Sequence, residues 1–234
     1  MYLHSRSHVE KEAQFWVYGS EDRTPRHPTS RHVVLMQDGS ILNRYWDNRD
    51  TPRPEAFMED TQVATKSGKE PSVVYRHIRA AAESGWDFSS RWFRDGATME
   101  TIQTTDLIPV DLNCLLLFLE IMLCTIYEQQ DEDALQNILP KLLRRHKAID
   151  RYCWNEEKGF YFDYQFKDQK QSNAYTLAAT YPLFFNLATP EQSAKVADCI
   201  EEKFLKAGGL TSTLAVTGEQ WDAPNGWAPL QWIS

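Results

Sequence analysis

The stretch DLNCLLLFLEIMLCTIYEQ, residues 111–129, decides the fold class. Its apolar residues recur at helical spacing, Pro109 stands just before it, and Asp111 is placed to cap it. Asn113, Glu120 and Thr125 interrupt the run, which falls short of the ~20 apolar residues a membrane span needs. It reads as a buried core helix. Directly after it, DALQNILPKLLRRHKAIDRYCW, residues 133–154, is a second long helical pattern, with Pro140 as a kink or boundary. Two long helices with so short a connector pack antiparallel.

Outward from this pair the same alternation continues. On the C-terminal side Gly159 ends the second helix and Phe160-Tyr161-Phe162 reads as a short strand. Asn173 to Leu187 and Glu191 to Leu205 are predicted as a further helix pair, the second begun by Thr189 at the N-cap and Pro190 at the first helical position. On the N-terminal side Pro71 to Glu83 carries Val74, Ile78 and Ala82 on one stripe. His8 to Tyr18 repeats Val9, Ala13, Trp16 and Val17, and Gly19 stops it. Between them Val33 to Met36, the turn Gln37-Asp38-Gly39-Ser40, and Ile41-Leu42 read as a small β-hairpin. Pro52 and Pro54 hold Asp47 to Glu55 in extended or turn geometry. The reading is mostly α, with paired helices and long loaded loops.

The 234 residues fit one domain, with 42% apolar and 25% charged residues, as in globular proteins. The 25 basic and 33 acidic residues leave a net charge of −8, which speaks against nucleic acid or an anionic membrane as a partner and for a neutral or cationic small molecule. Cys114 and Cys124 on one helix lie roughly 15 Å apart at 1.5 Å rise per residue, too far for a bridge. With Cys153 and Cys199 they form no metal-ligand spacing, and unpaired cysteines favour the cytoplasm over the periplasm. The six His read mostly as surface or loop residues, and Met1 to Arg6 has no apolar run of a signal peptide.

Three connectors carry the chemistry: Asn43 to Glu55, Ser84 to Asp95, and Glu219 to Gln231. Three tryptophans directly precede an Asp, in Trp46-Asp47, Trp86-Asp87 and Trp221-Asp222. An aromatic plate beside a carboxylate suits a sugar, whose rings offer a C–H face and a rim of hydroxyls. A carboxyl between Trp86 and Phe88 is expected to be partly desolvated and its pKa raised towards that of a general acid. The other reading of Asp87 is a helix cap or a pair with Arg91. Arg53 and Glu55, separated by Pro54, are pre-ordered to grip hydroxyls, or else form a surface ion pair. Gln220 to Trp232 packs three Trp and two Pro into thirteen residues, which no core-packing rule requires.

That thirteen-residue run resembles a signature motif of the trehalases, the glycoside hydrolases that split α,α-trehalose into two glucose molecules. Asn43 to Trp46, Thr51 to Glu55 and Ser84 to Trp92 resemble trehalase blocks in order, as do Phe15-Trp16, His32 to Gly39 and Pro109 to Asn113. The resemblance spans essentially the whole chain. It implies an incomplete (α/α)6 toroid, a single partial domain over residues 1–234, and an inverting mechanism with no metal or cofactor. Asp87 matches the general acid, Arg53, Pro54 and Glu55 the sugar-hydroxyl contacts, Gly85 a backbone contact, and Trp221 and Trp227 the aromatic wall. The general base is expected beyond Ser234 and a second signature upstream of Met1, so the 234 residues alone are expected to be inactive. The competing readings are another α/α-toroid carbohydrate enzyme, such as a glucoamylase or disaccharide phosphorylase, and a non-catalytic remnant.

Overall fold

The computed structural model describes residues 6–234; the reading of Met1 to Ser5 lies outside them. The first elements are α1 (Arg6–Val17), β1 (Thr29–Ser30), β2 (Val33–Leu35) and β3 (Ile41–Asn43). The three strands form one antiparallel sheet in which Val33 faces Asn43 and Leu35 faces Ile41. The expected hairpin closes through Met36 N–H donating to Ser40 O at 2.8 Å, with Gly39 at φ +80°. Then come α2 (Phe57–Ser67) and α3 (Pro71–Ser84), the strand β4 (Leu107–Ile108), and the long pair α4 (Val110–Gln130) and α5 (Glu132–Cys153). Two small hairpin pairs follow, from β5 (Trp154–Asn155), β6 (Phe160–Tyr161), β7 (Tyr164–Gln165) and β8 (Lys170–Gln171), with β4 pairing to β7. The chain ends with α6 (Tyr181–Phe184), α7 (Pro190–Lys203), the hairpin β9 (Leu205–Lys206) and β10 (Gly209–Leu210), and α8 (Ala228–Ile233).

Only Asp131 separates α4 from α5, and its carboxylate accepts from Ala134 N–H at 3.0 Å, capping the second helix. Helix α5 runs through Pro140 without a break. Helix α4 is long and apolar enough to cross a membrane by length and composition, yet Leu112, Leu116, Leu117, Leu123 and Ile126 are buried within the fold. The polar residues that interrupt it have partners. Asn113 donates to Asn43 O at 2.9 Å and accepts from Asn43 N–H, and buried Arg145 of α5 bonds Glu120, Asn43 and Asn113 at 2.9–3.1 Å. The network ties β3 to both long helices, although the second oxygen of the Glu120 carboxylate is buried without a partner. Around it the core closes on Ile78, Trp92, Ile102, Leu107, Ile108, Leu117, Phe160, Phe162 and Phe204.

Several expectations need correction. Asp111 does not cap α4; Pro109 holds that position and the Asp111 carboxylate turns to Arg91. Helix α5 ends at Cys153, and Gly159 instead turns the β5–β6 hairpin at φ +59°. Asn173 to Leu187 is not one helix. Thr176 is extended and bridges Thr213, Leu177 N–H donates to Ser212 O, and helix is confined to short turns about Pro182. Long-range pairing there overrides local propensity. Helix α2 has no counterpart in the sequence reading, since Phe57 and Met58 are exposed and blur its stripe.

His32 and His77 are buried rather than surface residues. His77 Nδ1 accepts from Thr105 N–H at 3.2 Å, and burial pushes its pKa down to about 4, against a weaker upward pull from Asp106. Its folded pKa lies below its unfolded value of about 6.5. Its contribution is therefore complete above that value and is lost as pH falls towards 4, an acid penalty of about 3 kcal/mol. Urea titrations at pH 7 and pH 4.5 should show this loss, and His77→Gln should flatten the pH dependence.

Candidate active site

Helix α3 stops at Gly85, whose left-handed backbone (φ +76°) lets its N–H reach Ala82 O. This turn sends Trp86 into the core at 4% exposure and leaves Asp87 on the surface, with Phe88 half-buried. The expected desolvated carboxyl is thus an exposed one: the neighbouring indoles pack inward or on each other instead of covering it. Asp87 neither caps nor pairs with Arg91. Ser89 caps the following turn, its hydroxyl accepting from Arg91 N–H at 3.1 Å.

The late tryptophan run lies against this loop. Trp221 N–H donates to Phe88 O at 3.1 Å. Trp86 stacks on Trp221 at 5.0 Å between centroids, and Trp221 on Trp227 at 4.2 Å and 10°. The indole N–H of Trp221 is buried and donates to nothing. Asp222, fully buried, accepts from Ser89 Oγ, Ser90 N–H, Ser90 Oγ, Thr213 Oγ1 and Thr217 Oγ1 at 2.5–2.9 Å. The Trp221-Asp222 pair therefore splits its tasks: the indole joins the wall, and the carboxylate ties the two loops together.

Arg53 comes from the proline-framed segment. Its guanidinium makes a bidentate bond with Asp60 at 2.7 and 3.0 Å, and Asp60 is 1% exposed. The same guanidinium lies 4.8 Å over the Phe88 ring. Burial opposes its charge, but the hydrogen bond to Asp60, with Glu55 and Asp87 close by, raises its pKa above the ordinary value. Sequence reasoning missed Asp60, and the pair is a held one rather than a surface pair. Pro54 and Glu55 are exposed beside it. Arg76 and Arg79 of α3 donate to Asp47 O and Thr51 O at 2.9 Å and fasten this loop. Trp46 is clasped between Arg44 and Arg76 at 4.4 and 4.5 Å, so Trp46-Asp47 supports the loop rather than presenting a plate.

Behind the Asp87 loop, fully buried Arg91 bonds both oxygens of Asp111 at 2.7 Å and both of Asp163 at 2.7 and 2.9 Å. Burial alone would lower its pKa, but the two carboxylates raise it well above the ordinary value. Glu219, just before Gln220, is half-buried with its pKa raised by burial and by Asp222. No sequence signal singled it out. Among the described residues no cluster of His, Cys, Asp or Glu is placed to hold a metal.

Asp87, Arg53 and the stacked tryptophans thus come together from three distant segments. The family described as Trehalase matches residues 2–234. The chain belongs to the trehalase family. It is 45% identical over 227 residues to a periplasmic trehalase of Xanthomonas axonopodis pv. citri (strain 306), covering 97% of this chain and 40% of that one. A periplasmic trehalase of Citrobacter koseri is also 45% identical, over 228 residues. The chain thus spans 40% of the length of these trehalase relatives. Both relatives are named as periplasmic, which gives no support to the cytoplasmic leaning drawn from the cysteines. The neutral trehalase of Saccharomyces cerevisiae superposes with a TM-score of 0.71 at 26% identity, over 88% of this chain and 43% of that one. A GH63 mannosylglycerate hydrolase from Thermus thermophilus shares the fold, at TM-score 0.55 and 15% identity, over 98% of this chain and 58% of that one. The mostly helical α/α-toroid class read from the trehalase resemblance is thereby established.

Proposed function

We propose that this trehalase-family chain forms part of an enzyme that hydrolyses α,α-trehalose to two glucose molecules with inversion, Asp87 being the general acid. One observation carries the reading: the loop bearing Asp87 and the run bearing Trp221 and Trp227 are stacked and hydrogen-bonded into one face. Asp87 protonates the bridging oxygen. Arg53 and Glu55, framed by Pro54, hold sugar hydroxyls, and the Gly85 backbone makes a further contact. Trp221 and Trp227 form the aromatic wall beside the sugar. Inverting glycosidases need a second carboxylate about 6.5–9.5 Å from the first, with a water between it and the anomeric carbon. That base is assigned to sequence outside these 234 residues, which constitute one partial toroid domain and are inactive without it. With relatives named periplasmic, a periplasmic location is proposed.

Inversion fixes the products. Water attacks one anomeric carbon from the opposite face, giving β-glucose, while the departing glucose stays α. Proton NMR of fresh products from the full-length enzyme should show equal α and β anomers. Two α anomers would exclude inversion.

Asp222 acts in this account as the positioning residue. An Asp222→Asn amide cannot accept from all five donors, so the Asp87 loop shifts, and a misplacement of about 1 Å costs on the order of 10²-fold in rate. A fall in kcat with KM little changed is expected from steady-state kinetics, accompanied by a lower Tm.

A further inference from the structure

A hollow of about 430 Å³ adjoins the Asp222 hub and is lined by Phe93, Gln103, Gln165, Ser172, Tyr175 and Thr213 among others. Asp87, Arg53, Trp221 and Trp227 do not line it. Its size is that of a small-molecule site.

Two of the lining side chains are unexplained by the fold. Gln103 is 4% exposed and Gln165 7%, yet neither Oε1 accepts a hydrogen bond. Their backbones are fixed: Gln103 N–H donates to Trp92 O at 2.9 Å, and Gln165 lies in β7 paired with Leu107. Buried amides left unpartnered are costly and rare, so two on one hollow mark where donors belong. Each amide turns about a broad terminal torsion, so either its carbonyl or its NH2 can face an occupant.

The charges at the mouth are already engaged. Arg94 pairs with Asp168 at 3.0 Å, Lys170 lies 3.8 Å from the same carboxylate, and Asp95 accepts from Ala97, Thr98 and Thr101. The Ser90 and Thr213 hydroxyls are committed to Asp222. The unpartnered side chains on the lining are thus the neutral amides of Gln103 and Gln165, and the rings of Phe93 and Tyr175 line the same hollow. That combination matches a neutral molecule with many hydroxyls and a C–H face.

We propose that this hollow is a second, non-catalytic site for a neutral sugar of glucose size. The proposal stands on the hollow alone and not on the role of Asp87. The test uses glucose as the probe on the full-length protein, by crystal soaking and calorimetry. Glucose is expected in the hollow within hydrogen-bond distance of both glutamines. The Gln103→Leu/Gln165→Leu variant should weaken that site at least tenfold while trehalose turnover is unchanged. Should that variant not fold, the nearly isosteric Gln165→Met, which removes one amide, should show the same direction of change. Ordered water alone in the hollow at saturating glucose would overturn the proposal, as would binding unaltered in either folded variant. Glucose in the hollow with none beside Asp87 would support this site and count against the catalytic reading.

Discussion

Asp87→Asn in the full-length enzyme is expected to lower kcat for trehalose by about 10²–10⁴-fold, the usual contribution of a general acid. An amide keeps the shape but has no proton to give to the oxygen between the two glucose units. The fold should not change. Asp87 is exposed and forms neither a hydrogen bond nor an ion pair among the described residues, so stability should stay within about 0.5 kcal/mol of the parent. Kinetics and thermal melting on the same sample separate the two effects. A variant that melts normally yet turns over trehalose at the parent rate would remove Asp87 from the mechanism.

Arg91→Leu is expected to have the largest effect on stability. The substitution leaves Asp111 and Asp163, both under 5% exposed, facing each other's charge without a cation. Breaking a buried pair by removing one partner costs about 3–5 kcal/mol, a large share of the roughly 5–15 kcal/mol that holds a typical domain together. The consequence reaches the site. Asp163 also accepts from Val110 N–H at 3.0 Å, so the triad joins the Asp87 loop, the start of α4 and the strands after α5. Lysine is not a substitute, because one ammonium cannot reproduce four directed bonds from a planar fork. Denaturant titration of Arg91→Leu and Arg91→Lys checks this: both midpoints should fall, with Leu lower. A midpoint unchanged in Arg91→Leu would contradict it.

The parts of this molecule that were legible in sequence are those written in local chemistry. Thr189 and Pro190 announce α7, where Thr189 and Gln192 complete a reciprocal cap. The Asp38-Gly39 turn announces the β2–β3 hairpin, and the apolar run from Leu112 announces α4. The loops that carry the candidate residues stood out because Trp, Pro and Gly are concentrated in them. Illegible were the pairings that span the chain. Arg91 finds its partners 20 and 72 residues away, and Asp222 finds Ser89 and Ser90 more than 130 residues away. From neighbours alone, Asp222 resembles Asp87: each follows a Trp. Only the fold shows one carboxylate saturated by five donors and the other free at the surface. The same cause accounts for residues 173–187, whose helical composition yields to Ser212 and Thr213 of the late segment.

The most direct test of Asp87 as proton donor compares two substrates on the Asp87→Asn enzyme: trehalose, whose leaving glucose must be protonated, and α-glucosyl fluoride, whose fluoride departs without a proton. The account predicts that fluoride hydrolysis survives while trehalose turnover collapses. Equal loss on both substrates, in a variant that folds and binds sugar normally, would contradict it.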